Sequence, residues 1–207
     1  MVKIKICGMR ESENIKQVST LRPDYIGFIF YESSPRYVGD DFRMPFVDKI
    51  IKKVGVFVNA PVDTMKEAHR EHRLDYLQLH GSEPIEVCEQ LKSAGISLIK
   101  VFSVDDNFDF AATKPYTRCV DFFLFDTKGK YYGGNAKAFN WTILQKYDQA
   151  KPFFLSGGLS PDNIGLVEKI KELNIHALDI NSGVELTPGL KDITKVQKIQ
   201  NIITSVL

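Results

Sequence analysis

The chain has 207 residues, 43% of them hydrophobic and 26% charged, a composition that fits one compact globular domain over residues 1–207. Its 27 Lys plus Arg against 26 Asp plus Glu leave a formal charge of +1, which removes the global electrostatic case for a nucleic-acid or membrane-surface partner. No run approaches the roughly 20 consecutive apolar residues of a membrane span, and the first residues enter a strand-like run rather than an apolar leader, so a cytoplasmic protein is expected.

Short runs rich in β-branched and aromatic residues predict strands at 3–7, 25–30, 53–58, 76–80, 98–102, 122–126, 152–155 and 177–180. Their starts lie 22 to 30 residues apart, which leaves room each time for a turn, a helix and a second turn. The segment 61–72 opens on Pro61 and carries Val62, Met65 and Ala68 at helical spacing. The segment 84–94 presents Ile85, Val87, Cys88 and Leu91 on one stripe and stops before Gly95. Ser160 reads as a helix N-cap with Pro161 at the first helical position, and 193–206 repeats apolar residues at Val196, Ile199 and Ile203. Eight parallel strands, each with a crossover helix, predict a closed (β/α)₈ TIM barrel, which leaves no sheet edge; a doubly wound open sheet is the alternative.

In such a barrel the reactive groups sit at the C-terminal ends of the strands and in the loops that follow. Cys7, His80 and Asp126 end predicted strands 1, 4 and 6, and Arg36 lies in the loop after strand 2. Gly157 and Gly158 follow strand 7, and Ser182 and Gly183 follow strand 8, where phosphate sites of these barrels are commonly built. A Gly-Gly pair also serves turns that need positive φ, so the two loops together, rather than either alone, point to an anion. Asp126 closes the apolar run Phe122-Phe123-Leu124-Phe125 and must be solvated, paired or used. A thiol and a carboxylate across a barrel mouth make a proton-transfer pair only if Cys7 loses its proton and Asp126 keeps one, which requires other donors near Cys7. Cys88 and Cys119 read as structural, and Trp141 as a packing residue at a helix start. The three cysteines and four histidines show no metal-ligand spacing, so no metal is expected.

Taken in order, Lys5-Ile6-Cys7-Gly8, Ser34-Pro35-Arg36-Tyr37-Val38, Gly55-Val56-Phe57, Leu77-Gln78-Leu79-His80-Gly81, Asp126 with Gly133-Gly134, Ser156-Gly157-Gly158-Leu159, and Ser182-Gly183-Val184-Glu185 with Pro188-Gly189 span almost the whole chain. This series resembles the phosphoribosylanthranilate isomerases of tryptophan biosynthesis. The resemblance implies a cofactor-free Amadori rearrangement of a phosphorylated aminosugar, with Cys7 as general base and Asp126 as general acid. It further implies Arg36 on the anthranilate carboxylate and Gly157, Gly158, Ser182 and Gly183 on the phosphate. His80 and Asp179 complete the expected substrate-binding set. A monomer is expected, with a homodimer as the alternative. One stretch departs from the family pattern, which reads Gly-Gly-Thr-Gly and later Phe-Asp-Trp: here Ala136 replaces the third glycine and Asn140 the aspartate, although Asn140 still suits a cap. The rivals are the analogous isomerisation of histidine biosynthesis, whose enzymes place an aspartate at the end of strand 1, and a catalytically silent binding barrel.

Overall fold

Strands whose two faces are both buried need apolar residues at every position, and most strands of this chain supply them. The computed structural model describes residues 2–127 and 140–206. It contains β1 (Lys3–Ile6), α1 (Ser12–Thr20), β2 (Tyr25–Ile29), β3 (Lys52–Phe57), α2 (Val62–His72), β4 (Tyr76–Leu79), α3 (Ile85–Ser93), β5 (Ser97–Val104), β6 (Phe122–Thr127), β7 (Phe153–Leu155), β8 (Ile175–Ile180), β9 (Glu185–Thr187), β10 (Leu190–Lys191) and α4 (Ile193–Val206). Strands β1 to β8 are parallel and close in sequence order, β1 pairing with both β2 and β8. The architecture is the predicted (β/α)₈ barrel, and the eight predicted strands are present with ends displaced by at most two residues.

Alternation along the strands divides the apolar residues into two cores. Ile4, Ile6, Phe28, Leu77, Leu79, Phe123, Phe125, Phe153, Leu155 and Leu178 pack in the larger core with the surrounding helices, whereas Tyr25, Val54, Ile99, Val101, Leu124, Phe154 and Ala177 pack together inside the barrel. At the N-terminal end of the barrel, Tyr25 Oη and His176 Nε2 lie 2.7 Å apart and His176 packs on Phe122, so burial holds this histidine down at about 4. Towards the C-terminal ends the same period-two positions become polar at Lys5, Gln78 and Asp179, all buried.

The expectation of one helix per crossover needs correction. Among the described residues, the connection from β2 to β3 holds no helix; Pro35, Gly39 and Pro45 break any helical run there, and Phe42 and Ile51 anchor the segment to the core. Among the described residues, three other connections hold 3₁₀ segments, Phe110–Arg118, Trp141–Lys146 and Ile164–Ile170. Pro115 lies inside the first, where it can donate no backbone hydrogen bond. In the third, Ser160 does not cap a helix beginning at Pro161. Its amide donates to Asn163 Oδ1 and its hydroxyl accepts from Asp162 N, so those residues form a turn and helical geometry starts only at Ile164. Asn140 does act as a cap, its side-chain oxygen accepting from Thr142 N, and Trp141 is buried as a packing residue. The other departure, Ala136, and the Gly133-Gly134 pair before it lie outside the described residues.

Aromatic rings fasten the irregular segments where regular helix stripes are missing. Phe125 on β6 meets Phe110 at 5.6 Å, Tyr147 at 5.1 Å and Phe153 at 5.2 Å between ring centroids, so one strand residue holds two crossover segments and the next strand. Phe125→Ala is expected to cost about 3–5 kcal/mol in a denaturant titration, against within about 0.5 kcal/mol for the exposed Phe46→Ala. Equal losses at the two positions would contradict this account of the packing.

Candidate active site

Closing the barrel brings residues from distant parts of the chain to one open cleft at the C-terminal ends of the strands. Cys7, Arg36, Gln78, His80, Asp126, Gly157, Gly158, Asp179, Asn181 and Ser182 all line it. Of the residues predicted from sequence, only Gly183 stands behind this lining. A Cβ there would lie 2.0 Å from the Leu159 carbonyl oxygen, so the missing side chain is what allows the loops after β7 and β8 to touch. Gly157 and Gly158 have φ of +94° and +67°, and a Cβ on Gly157 would meet Thr127 Oγ1 at 2.1 Å. Their turn geometry and their place in the cleft have a common cause, since both need backbone without side chains.

The floor is built on a buried ammonium. Parallel registration of β1 with β8 sets Lys5 opposite Asp179, and Lys5 Nζ donates to Asp179 Oδ2 at 3.0 Å and Gln78 Oε1 at 2.6 Å. Burial alone would lower the Lys5 ammonium, but Asp179 and Cys7 beside it more than offset this and hold it above its ordinary value. Asp179 Oδ1 is buried with no hydrogen-bond partner among the described residues, and Asp179 lines the cleft. Such an acceptor is costly to leave unmet, about 1–3 kcal/mol.

Cys7 follows β1, its amide donating to the Ile180 carbonyl at 2.8 Å. Burial pushes its thiol above the ordinary value, while the Lys5 and Lys191 ammoniums pull it back towards ionisation. The net shift remains upward, so the two cations offset burial only in part. The sulfur fits because the facing residue on β2 is Gly27, where a Cβ would lie 2.7 Å from Cys7 Sγ. Across the cleft, Asp126 is buried and accepts from Thr127 N at 2.9 Å, with His80 Nε2 at 3.3 Å from Oδ2.

A second charged group flanks Cys7. Arg36 reaches inward past Gly8, where a Cβ would meet its Cδ at 2.7 Å, and holds Glu185 through Nε at 2.8 Å and Nη2 at 2.6 Å. The arginine is therefore neither solvated nor wholly free; one edge of its fork is used and Nη1 lies outside that pair. Lys191 Nζ binds the same carboxylate at 2.7 Å and Asn181 Oδ1 at 2.8 Å. Burial would raise Glu185, but Arg36 and Lys191 prevail and hold it at about 2; burial lowers Lys191 to about 8. The hairpin of β9 and β10 that carries both was not predicted. Asn14 on α1 fixes it by donating to the Lys191 carbonyl and accepting from the Lys191 amide.

Sequence reading thus missed Lys5, Gln78, Gly27, Glu185 and Lys191. A signal existed for the first three, since a lysine, a glutamine and a glycine interrupt otherwise apolar barrel strands. For the last two it was the Pro188-Gly189 turn between a carboxylate and a lysine, which reads as a charged hairpin.

Comparison with known proteins shows the family to which the chain belongs. The family model described as N-(5'-phosphoribosyl)anthranilate (PRA) isomerase matches residues 4–201. The N-(5'-phosphoribosyl)anthranilate isomerase of Parabacteroides distasonis is 45% identical over 211 residues, covering 99% of this chain and 93% of that one. The crystal structure of phosphoribosyl anthranilate isomerase from Thermotoga maritima superposes with a TM-score of 0.85 at 29% identity, covering 99% and 100% of the two chains. A structure of such an isomerase in complex with reduced 1-(o-carboxyphenylamino)-1-deoxyribulose 5-phosphate superposes at 0.81 with 29% identity, covering 99% and 100%. An isomerase of tryptophan biosynthesis by descent, this chain belongs to the N-(5'-phosphoribosyl)anthranilate isomerase family.

Proposed function

We propose that the cleft carries out an Amadori rearrangement of N-(5'-phosphoribosyl)anthranilate by general acid and base catalysis, with Asp126 as acid and Cys7 as base. The observation that carries this reading is that the two groups, 119 positions apart as their residue numbers give, line one cleft. Asp126 gives its proton to the furanose ring oxygen as the C1′–O bond breaks and the nitrogen lone pair forms the iminium. The positive charge acidifies C2′, and the Cys7 thiolate removes that proton, leaving an enolamine. Proton loss from the 2′-hydroxyl and protonation at C1′ then give the aminoketone. Each transfer by a positioned group is worth on the order of 10²–10⁴-fold.

The remaining residues hold the ends of the substrate. The backbone of Gly157, Gly158 and Ser182 offers a phosphate unhindered amides, with Gly183 keeping the two loops together. The free edge of Arg36 suits the anthranilate carboxylate, and the unmet Asp179 oxygen suits a sugar hydroxyl. Binding both ends uses remote contacts to place C2′ and the ring oxygen against Cys7 and Asp126. This chemistry runs without a metal or organic cofactor.

A fluorescence assay tests the reading: phosphoribosylanthranilate is generated from anthranilate and phosphoribosyl pyrophosphate by the upstream transferase, and loss of its emission is followed on adding the protein. Turnover by the native chain is expected, nearly abolished in Cys7→Ala and in Asp126→Asn with the circular dichroism spectrum unchanged. Absence of native turnover by folded protein sinks the reaction, and a normal rate in either variant sinks that residue's role. Arg36→Ala is expected to raise KM by roughly ten- to hundredfold, the scale of a lost charged hydrogen bond, with a smaller change in kcat. An unaltered KM would remove Arg36 from the carboxylate.

A further inference from the structure

Building on that reaction, we infer that Gln78 is a positioning residue: held by the buried Lys5 ammonium, it locks His80 in the Nε2–H tautomer that supports Asp126 as the acid. The orientation follows from donor and acceptor chemistry alone. An ammonium has three donors and no acceptor, so the Gln78 atom 2.6 Å from Lys5 Nζ is the amide oxygen. The amide nitrogen therefore faces His80 Nδ1, at 2.9 Å. An NH₂ group only donates, so Nδ1 accepts and the ring proton resides on Nε2. That nitrogen faces Asp126 Oδ2 at 3.3 Å, and the other carboxylate oxygen accepts from Thr127 N at 2.9 Å.

Asp126 becomes charged as it delivers its proton. Hydrogen bonds to an ionised acceptor are roughly twice as strong as neutral ones, so the His80 contact strengthens along the reaction rather than before it. The other histidine tautomer would turn a lone pair towards the developing carboxylate and oppose it. Lys5 and Gln78 are both fully buried, so water cannot replace the link between them. The same ammonium also acts on Cys7, and a single buried cation is thereby coupled to the base directly and to the acid through two side chains.

The test reads the tautomer independently of turnover, from the ring nitrogen resonances of ¹⁵N-histidine-labelled protein, with His80 assigned by their loss in His80→Asn. Native protein is expected to show a protonated Nε2 and a bare Nδ1; a protonated Nδ1 overturns the inference. Gln78→Glu places an acceptor oxygen against Nδ1 and is expected to move the proton there. In both Gln78→Glu and Gln78→Met, kcat is expected to fall by roughly ten- to hundredfold, the scale of a lost hydrogen bond to a charged group. A merely structural role would not reverse the tautomer, and KM is expected to stay within about threefold. A reversed tautomer with native kcat overturns the inference; should Gln78→Glu not fold, Gln78→Met and the native spectrum decide it. Failure of the reaction itself is distinct, since it appears as native protein without turnover whatever the state of His80.

Discussion

The charge on Lys5 is the constraint around which the C-terminal half of the barrel is arranged. An ammonium with no solvent exposure is expensive unless its donors are met, and here the carboxylate of Asp179 and the amide oxygen of Gln78 meet two of them. Those partners come from β8 and β4, which the chain visits late and midway, so the pairing exists only when the barrel is closed. It also sets register: Lys5 lies directly opposite Asp179 across the seam, and a slip by one residue would turn Lys5 into the apolar layer beneath the helices.

The two groups proposed as base and acid inherit their surroundings from this arrangement. Cys7 lies two residues beyond Lys5 and so faces the same interior; Asp126 lies two residues beyond Leu124 of the interior core. Lys191 adds a second cation near Cys7, but it is a weaker one, because Glu185 holds it and burial lowers it. The cleft therefore offers a thiol influenced by two ammoniums on one side and, on the other, a carboxyl with one oxygen on the Thr127 amide and the second 3.3 Å from His80 Nε2. Absent side chains matter as much as present ones. Gly27 makes room for a sulfur, Gly8 for an arginine, and Gly183 for a neighbouring loop. Each of these close approaches is one that a single methyl group would obstruct.

Local stretches carried much of this. The β-branched runs and their spacing specified eight strands, because burial on both faces selects apolar residues without reference to any partner. Strand ends then located Cys7, His80 and Asp126, and the paired glycine loops located the expected phosphate end. The crossover helices were less legible, since a short segment between strands takes α or 3₁₀ geometry according to a proline or a side-chain turn such as that of Ser160 and Asn163. Reading Arg36 as available to an anion was incomplete for a similar reason: its partner Glu185 is 149 residues away along the chain.

What the sequence determined by itself was periodicity, and with it the strands, the barrel and the side of the barrel on which chemistry would sit, because alternation and turn residues act over a few positions. Tertiary structure alone decided which polar groups share a proton or a charge. The links from Asp179 to Lys5, Lys5 to Gln78, and His80 to Asp126 join four different strands. Hydrogen bonds and electrostatic shifts depend on distances of a few ångströms and on exclusion of water, and both arise only when the closing of the barrel brings those strands together.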